Sequence, residues 1–289
     1  MALPLRSSGK HVLCEKSLTV NAAQAQALAD LAHSKGLFFM EAVWTRFQPV
    51  SYAVDKVLAS GVIGPIVSTR TELSVHWQGD DSHRMVNPDL AGGALLDLGP
   101  YAWVWTALTL LPRAPADGVS PLPQLKVAGS IIPYPSTGVD AVTTAVVQFP
   151  QADGRVVHGT MSTSLSVPSN PSVVTITGTK GFIAIAGPTY RPTSFSFTAW
   201  ESEEACDDFG LDKSKVAKTG GEDFTVRPGD IWGFAWEADE VARCIRDGKL
   251  QSARMPLRET VLQMEVFDEI RRQNGLVYPE ALETLELSN

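Results

Sequence analysis

The chain has 289 residues, of which 44% are hydrophobic and 19% charged, with a formal net charge of −8. This is the composition of a folded globular protein of about two domains. Acidic balance without a basic run argues against nucleic-acid or anionic-membrane partners, and no apolar stretch approaches the roughly 18 residues of a membrane span.

Residues 1–8 carry one arginine and lack the apolar core of a secretory signal, so a cytoplasmic protein is expected. Cys14, Cys206 and Cys244 form no C-x-x-C pair and read as incidental reduced thiols.

In chain order, residues 11–15 form a short apolar run expected as a buried strand. Asn21 is a fitting N-cap for a helix over residues 22–35, stopped by Gly36. A second buried strand is expected over residues 37–44 and a helix over 52–59. This β-α-β-α order suggests parallel strands joined by helices. Residues 66–76 read as a longer strand and residues 78–90 as a polar loop. Residues 94–111 read as a buried helix, in which Pro100 must lie in the first turn or kink it.

From residue 125 to 200 the composition shifts to Val, Ile, Thr, Ser and Phe, broken by Gly and Pro. Antiparallel strands are expected over residues 142–149, 155–165, 173–177, 182–186 and 194–199, with a hairpin turn at 178–181. Residues 201–227 are charged and expected as a surface loop. Two helices follow, one marked by Ile231, Phe234, Ala238, Val241, Ala242 and Ile245. The other is marked by Leu257, Val261, Met264, Phe267 and Ile270 and ends at Asn274-Gly275. The fold class is α/β in front, then a larger α+β domain with a mostly antiparallel sheet.

Chemistry-bearing residues are few. None of the 23 glycines lies two positions from another, so the G-x-G of a dinucleotide turn does not occur. Glu15 and Lys16 end the first strand, where ligands collect in parallel sheets; a solvated pair is the plain alternative. Asp97 and Tyr101 are four apart and share a helix face. A nearby ammonium would favour the phenolate and make Tyr101 an acid/base; a capping aspartate followed by a core tyrosine is the alternative. His76 and His83 flank Asp80 and Asp81 without a standard metal spacing, so no metal is expected. Trp44, Trp77, Trp103 and Trp105 suit an aromatic wall or simple packing.

Several segments together resemble one family. Gly9-Lys10-His11-Val12-Leu13-Cys14-Glu15-Lys16 resembles the G-K-H-V-L-x-E-K-P landmark of the Gfo/Idh/MocA oxidoreductases. Residues 40–47, 92–101, 178–181 and Tyr278-Pro279 narrow the resemblance to the branch of dimeric dihydrodiol dehydrogenases and fungal NADP-dependent D-xylose dehydrogenases.

The resemblance implies a Rossmann-type parallel sheet in front of a C-terminal α/β domain whose sheet pairs two subunits. It implies hydride transfer between NADP and a sugar C1 hydroxyl or a cyclic diol. Tyr101 would then be the acid/base with Asp97 beside it, and Lys16 would bind the reacting hydroxyl and the nicotinamide ribose. Glu15, Lys16, Trp44 and Arg46 would face the cofactor; Trp44, Tyr101 and His83 would face the substrate.

Two departures carry expectations. Ser17 replaces the family's proline, so a looser Lys16 loop is expected. Only eight residues precede the landmark, so the glycine turn and first strands of the Rossmann unit are expected to be missing. Residues 1–47 then form the remnant of a dinucleotide domain and 48–289 the substrate and dimerisation domain. Such a front would leave the first strand's pairing edge bare and bind NADP poorly. The competing readings are a non-redox dimerising module and an acid/base isomerase, lyase or cyclase that reuses the same residues.

Overall fold

A computed structural model describes residues 9–112, 123–202, 206–207, 210–211, 215–224 and 232–285. Strands β1 (Val12–Glu15) and β2 (Phe39–Ala42) pair in parallel, with Val12 opposite Phe39 and Glu15 opposite Ala42. Helix α1 (Ala22–Ser34) connects them. The Asn21 side chain accepts from the Gln24 N–H at 2.9 Å, and Gly36 turns the chain out at a φ of 62°. On its other side β1 has no partner among the described strands, and His11, Leu13 and Glu15 are exposed there and on its open face.

A 3-10 turn, Trp44–Phe47, leads from β2 to α2 (Pro49–Ala59). The helix starts three residues earlier than expected, because Pro49 at its first position is pre-set to helical φ and needs no N–H partner.

The second sheet has eight strands. They are β3 (Ile66–Ser74), β4 (Lys126–Pro133), β5 (Asp140–Pro150), β6 (Val156–Ser164), β7 (Ser172–Gly178), β8 (Gly181–Ala186), β9 (Ser194–Trp200) and β12 (Val216–Asp223). A separate two-residue ladder joins β10 (Cys206–Asp207) and β11 (Gly210–Leu211). The large sheet runs β12-β9-β8-β7-β3-β6-β5-β4, antiparallel throughout except for the parallel β3–β6 pair. Residues 201–227 were expected as a surface loop; instead β12 lies within them as an edge strand against β9. It escapes sequence patterning because nearly all its residues are exposed and show no apolar alternation.

Helix α3 (Ala94–Leu110) covers one sheet face, meeting β3, β5 and β6. Ala141, Thr143, Ala145, Val147 and Phe149 alternate inward on β5. Trp103 and Trp105 of α3 are among the largest fully buried side chains. Helix α4 (Phe234–Arg246) packs on the Trp44–Phe47 turn; Ile231, expected as its first apolar position, lies outside the described residues.

Helix α5 (Leu257–Asn274), with Gly275 at its end, packs on β4 and α1; α6 (Glu280–Glu283) follows. Gln273 and Asn274 exchange hydrogen bonds with the β4 backbone at Val127, Gly129 and Ile131. These amides satisfy what would otherwise be an open sheet edge. No helix among the described residues is long and apolar enough to cross a membrane.

Candidate active site

The site begins with the start of α3. Gly93 has a φ of 130°, and a Cβ there would overlap the Asp140 carboxylate. Asp140 is fully buried and accepts from the Leu95 N–H at 2.6 Å and the Thr143 hydroxyl at 2.8 Å. It caps α3 from 45 residues away. Burial pushes its carboxyl up to about 7 against the pull of these two donors. The glycine pair at 92–93 thus sets the helix that carries Asp97 and Tyr101.

Pro100 lies in the second turn of α3, not the first, and has no N–H for the Leu96 carbonyl. The Ser17 hydroxyl takes that place, donating to Leu96 O at 2.7 Å. The neighbouring residues are joined too: Lys16 Nζ donates to Asp97 O at 2.5 Å and lies 3.1 Å from Asp97 Oδ1. Leu18 N–H donates to the buried Glu41 carboxylate at 3.0 Å. The expected looser loop is therefore pinned at three consecutive residues. Ser17→Ala should orphan the Leu96 carbonyl and cost about 1–3 kcal/mol in denaturant unfolding; an unchanged unfolding midpoint would mean the contact is dispensable.

Asp97 stands between two cations, Lys16 and Arg84, whose Nη1 lies 2.6 Å from the same Oδ1. Burial alone would raise this carboxyl, but Lys16 and Arg84 outweigh it and hold Asp97 below the usual carboxylate range. Lys16 Nζ also lies 5.1 Å from the centre of the Tyr101 ring.

Contrary to expectation, Tyr101 is not drawn towards phenolate. Burial pushes the phenol upward first, and the carboxylates of Glu15, Asp97 and Glu237 push it further. The Trp44 indole N–H, facing the phenol outside hydrogen-bonding geometry, works the other way. The Lys16 charge is already matched by Asp97, so Tyr101 keeps its proton.

An aromatic wall stands opposite. The Trp44 ring stacks on Phe234 at 4.2 Å and on Tyr190 at 6.1 Å, and Tyr190 meets Tyr101 at 5.7 Å. One turn along α4 from Phe234 is Glu237, only 3% exposed, with Oε2 unpartnered. Burial and then the Glu15 carboxylate raise it to about 8. Arg84, Tyr190, Phe234 and Glu237 were not anticipated. The only available signal was a glutamate three residues after an aromatic at a helix start.

Two expected site residues lie elsewhere. Arg46, expected on the cofactor side, is buried; its Nη2 lies 2.7 Å from Glu259 Oε2 and its Nη1 donates to Arg254 O at 2.8 Å. Arg254 Nε donates back to Arg46 O. A buried guanidinium demands a partner, and α5 provides one. His83, expected at the substrate, is exposed and packs on the Trp77 ring at 4.3 Å, accepting from the Met85 N–H at 3.2 Å. The next residue, Arg84, makes the contact with Asp97. No group of three or more His, Cys, Asp and Glu that could hold a metal occurs among the described residues.

Residues 52–184 match the GFO/IDH/MocA C-terminal domain. The chain is 40% identical to the D-xylose 1-dehydrogenase (NADP(+)) of Hypocrea jecorina, over 96% of this chain and 70% of that enzyme. It is 32% identical to the human trans-1,2-dihydrobenzene-1,2-diol dehydrogenase, over 95% of this chain and 73% of that enzyme. In fold it resembles the aldose-aldose oxidoreductase of Caulobacter crescentus, with a TM-score of 0.70 at 21% identity over 93% of this chain and 71% of that one. A 3-ketoreductase of Actinomadura kijaniata solved with NADP gives a TM-score of 0.68 at 21% identity, over 93% of this chain and 72% of that one. From the pinned Lys16 loop and the Asp97–Tyr101 helix to these relatives across nearly its whole length, the chain belongs to the Gfo/Idh/MocA oxidoreductase family.

Proposed function

We propose that this chain acts in hydride transfer between NADP and a sugar C1 hydroxyl or a hydroxyl of a cyclic diol. The observation that carries the reading is the convergence of Lys16, Asp97 and Tyr101 beneath an aromatic wall at the C-terminal ends of β1 and β2. Ligands collect at that end of parallel strands.

The residues present suit the nicotinamide end of NADP. Glu15 ends β1 and Lys16 follows it, and the buried Trp44 indole N–H has no partner of its own. The sequence contains no G-x-G turn, so this fit concerns only that end. Bound NADP supplies the two-electron acceptor.

The remaining steps fall to side chains of this chain. Lys16, held by Asp97, donates a hydrogen bond to the reacting oxygen. Tyr101 carries the proton: it gives it to a carbonyl oxygen in the reducing direction and must be free of it to receive one in the oxidising direction. The stacked Trp44, Phe234 and Tyr190 rings offer an apolar face to a sugar or diol ring.

Residues 1–47 serve the cofactor side in this reading, and 48–289 the substrate side. The sheet face opposite α3, with Thr144 and Val146 exposed, is where a second copy would pair, and the mass of the protein in solution checks this. The functional test is NADPH formation with aldoses and with cyclic vicinal diols. Folded protein that turns over neither class overturns the proposal.

A further inference from the structure

Among the described residues, Glu237 is the buried carboxyl at this site without a structural duty. Asp97 is committed to Lys16 and Arg84, and Asp140 caps α3. Glu237 Oε2 makes no hydrogen bond although the residue is 3% exposed, and the Trp44 indole N–H is likewise buried and unpartnered. Leaving a buried polar group unpaired is costly, so these two groups on one wall are candidates for partners that a ligand brings. Phe234, one turn before Glu237, stacks on Trp44 at 4.2 Å, which fixes α4 against this wall. The same wall reaches Tyr101 through Tyr190, whose ring lies 6.1 Å from Trp44 and 5.7 Å from Tyr101.

We propose that Glu237 selects substrates bearing a second hydroxyl next to the one that faces Tyr101, by exchanging hydrogen bonds with that second hydroxyl. The inference rests on the functional reading above and adds to it the feature of the substrate that is recognised. A neutral carboxylic acid offers one donor and one acceptor, which matches an alcohol. Burial and the neighbouring Glu15 carboxylate keep Glu237 protonated at neutral pH, up to about 8. Glu15 and Tyr101 are the titratable groups electrostatically coupled to it. A site built to bond a hydroxyl penalises an analogue that lacks it, because its own polar groups stay unpaired.

The test compares binding of D-xylose with its 2-deoxy analogue, and of trans-1,2-cyclohexanediol with cyclohexanol, by calorimetry. Glu237→Leu is expected to lose about ten-fold of the preference for the vicinal diol, the worth of one good hydrogen bond. Glu237→Gln, which keeps a donor and an acceptor, is expected to retain most of it. In the parent protein the preference should shrink as pH rises through about 8, and in Glu237→Gln it should not. An unchanged preference in Glu237→Leu, a pH-8 loss that persists in Glu237→Gln, or no binding of either diol overturns the proposal. NADP-dependent turnover with a preference indifferent to Glu237 sinks this inference alone. A Glu237-dependent preference without turnover sinks the redox reading and leaves Glu237 as the selector.

Discussion

Tyr101→Phe is expected to lower kcat by about 10²–10⁴-fold with a small change in KM, the usual loss when a positioned acid/base is removed. The substitution deletes one oxygen and keeps the ring that meets Tyr190 at 5.7 Å, so packing should survive. The direction of the pH dependence follows from the site. Burial and three carboxylates hold the phenol above its ordinary range. The protonated form then persists through neutral and mildly alkaline pH, so carbonyl reduction should lose nothing to Tyr101 ionisation there. Alcohol oxidation needs the deprotonated form, whose fraction rises about ten-fold per pH unit below the pKa, so its rate should climb with pH. Tyr101→Phe should abolish that climb. A near-normal rate in the variant would remove Tyr101 as the proton carrier and leave Lys16 as the remaining candidate.

Arg46→Met should destabilise the protein by about 3–5 kcal/mol, because Glu259 would be left buried and unpaired. The guanidinium is 3% exposed and joins the turn after β2 to α5 through Glu259, at 2.7 Å. Denaturant unfolding measures the loss directly. Replacing Glu259 as well, in Arg46→Met/Glu259→Leu, should recover much of it, since an apolar pair of similar volume often replaces a buried ion pair at little cost. NADP affinity measured on the folded fraction should change little. A single variant as stable as the parent, with weakened NADP binding, would return Arg46 to the cofactor side.

These two residues show what was legible before folding. Both sit in segments that carry the family resemblance, and for Tyr101 the resemblance and the i, i+4 spacing from Asp97 agree. Arg46 lies two residues from Trp44 in the same segment, yet a 3-10 turn sends the two side chains to different partners. Nothing in local spacing distinguishes them. His83 and Arg84 repeat the lesson: adjacent residues of one loop, of which the exposed histidine stacks on Trp77 and the arginine reaches Asp97.

The sequence by itself determined the local elements. Asn21 and Gly36 bound α1, and alternation marks β5 through β9. The α/β order of the front and the antiparallel texture that follows are also legible, because caps, turns and burial periodicity act over a few residues. Only the tertiary structure decided which groups meet. Ser17 finds the carbonyl freed by Pro100 across 79 residues. Asp140 caps a helix that begins 46 positions earlier, and the Glu15 carboxylate raises the pKa of Glu237 from another element. It also decided their charge states. Whether Tyr101 and Glu237 hold their protons depends on burial and on carboxylates from other elements. Those energies depend on distance and solvent exclusion, and neither exists until the chain has packed.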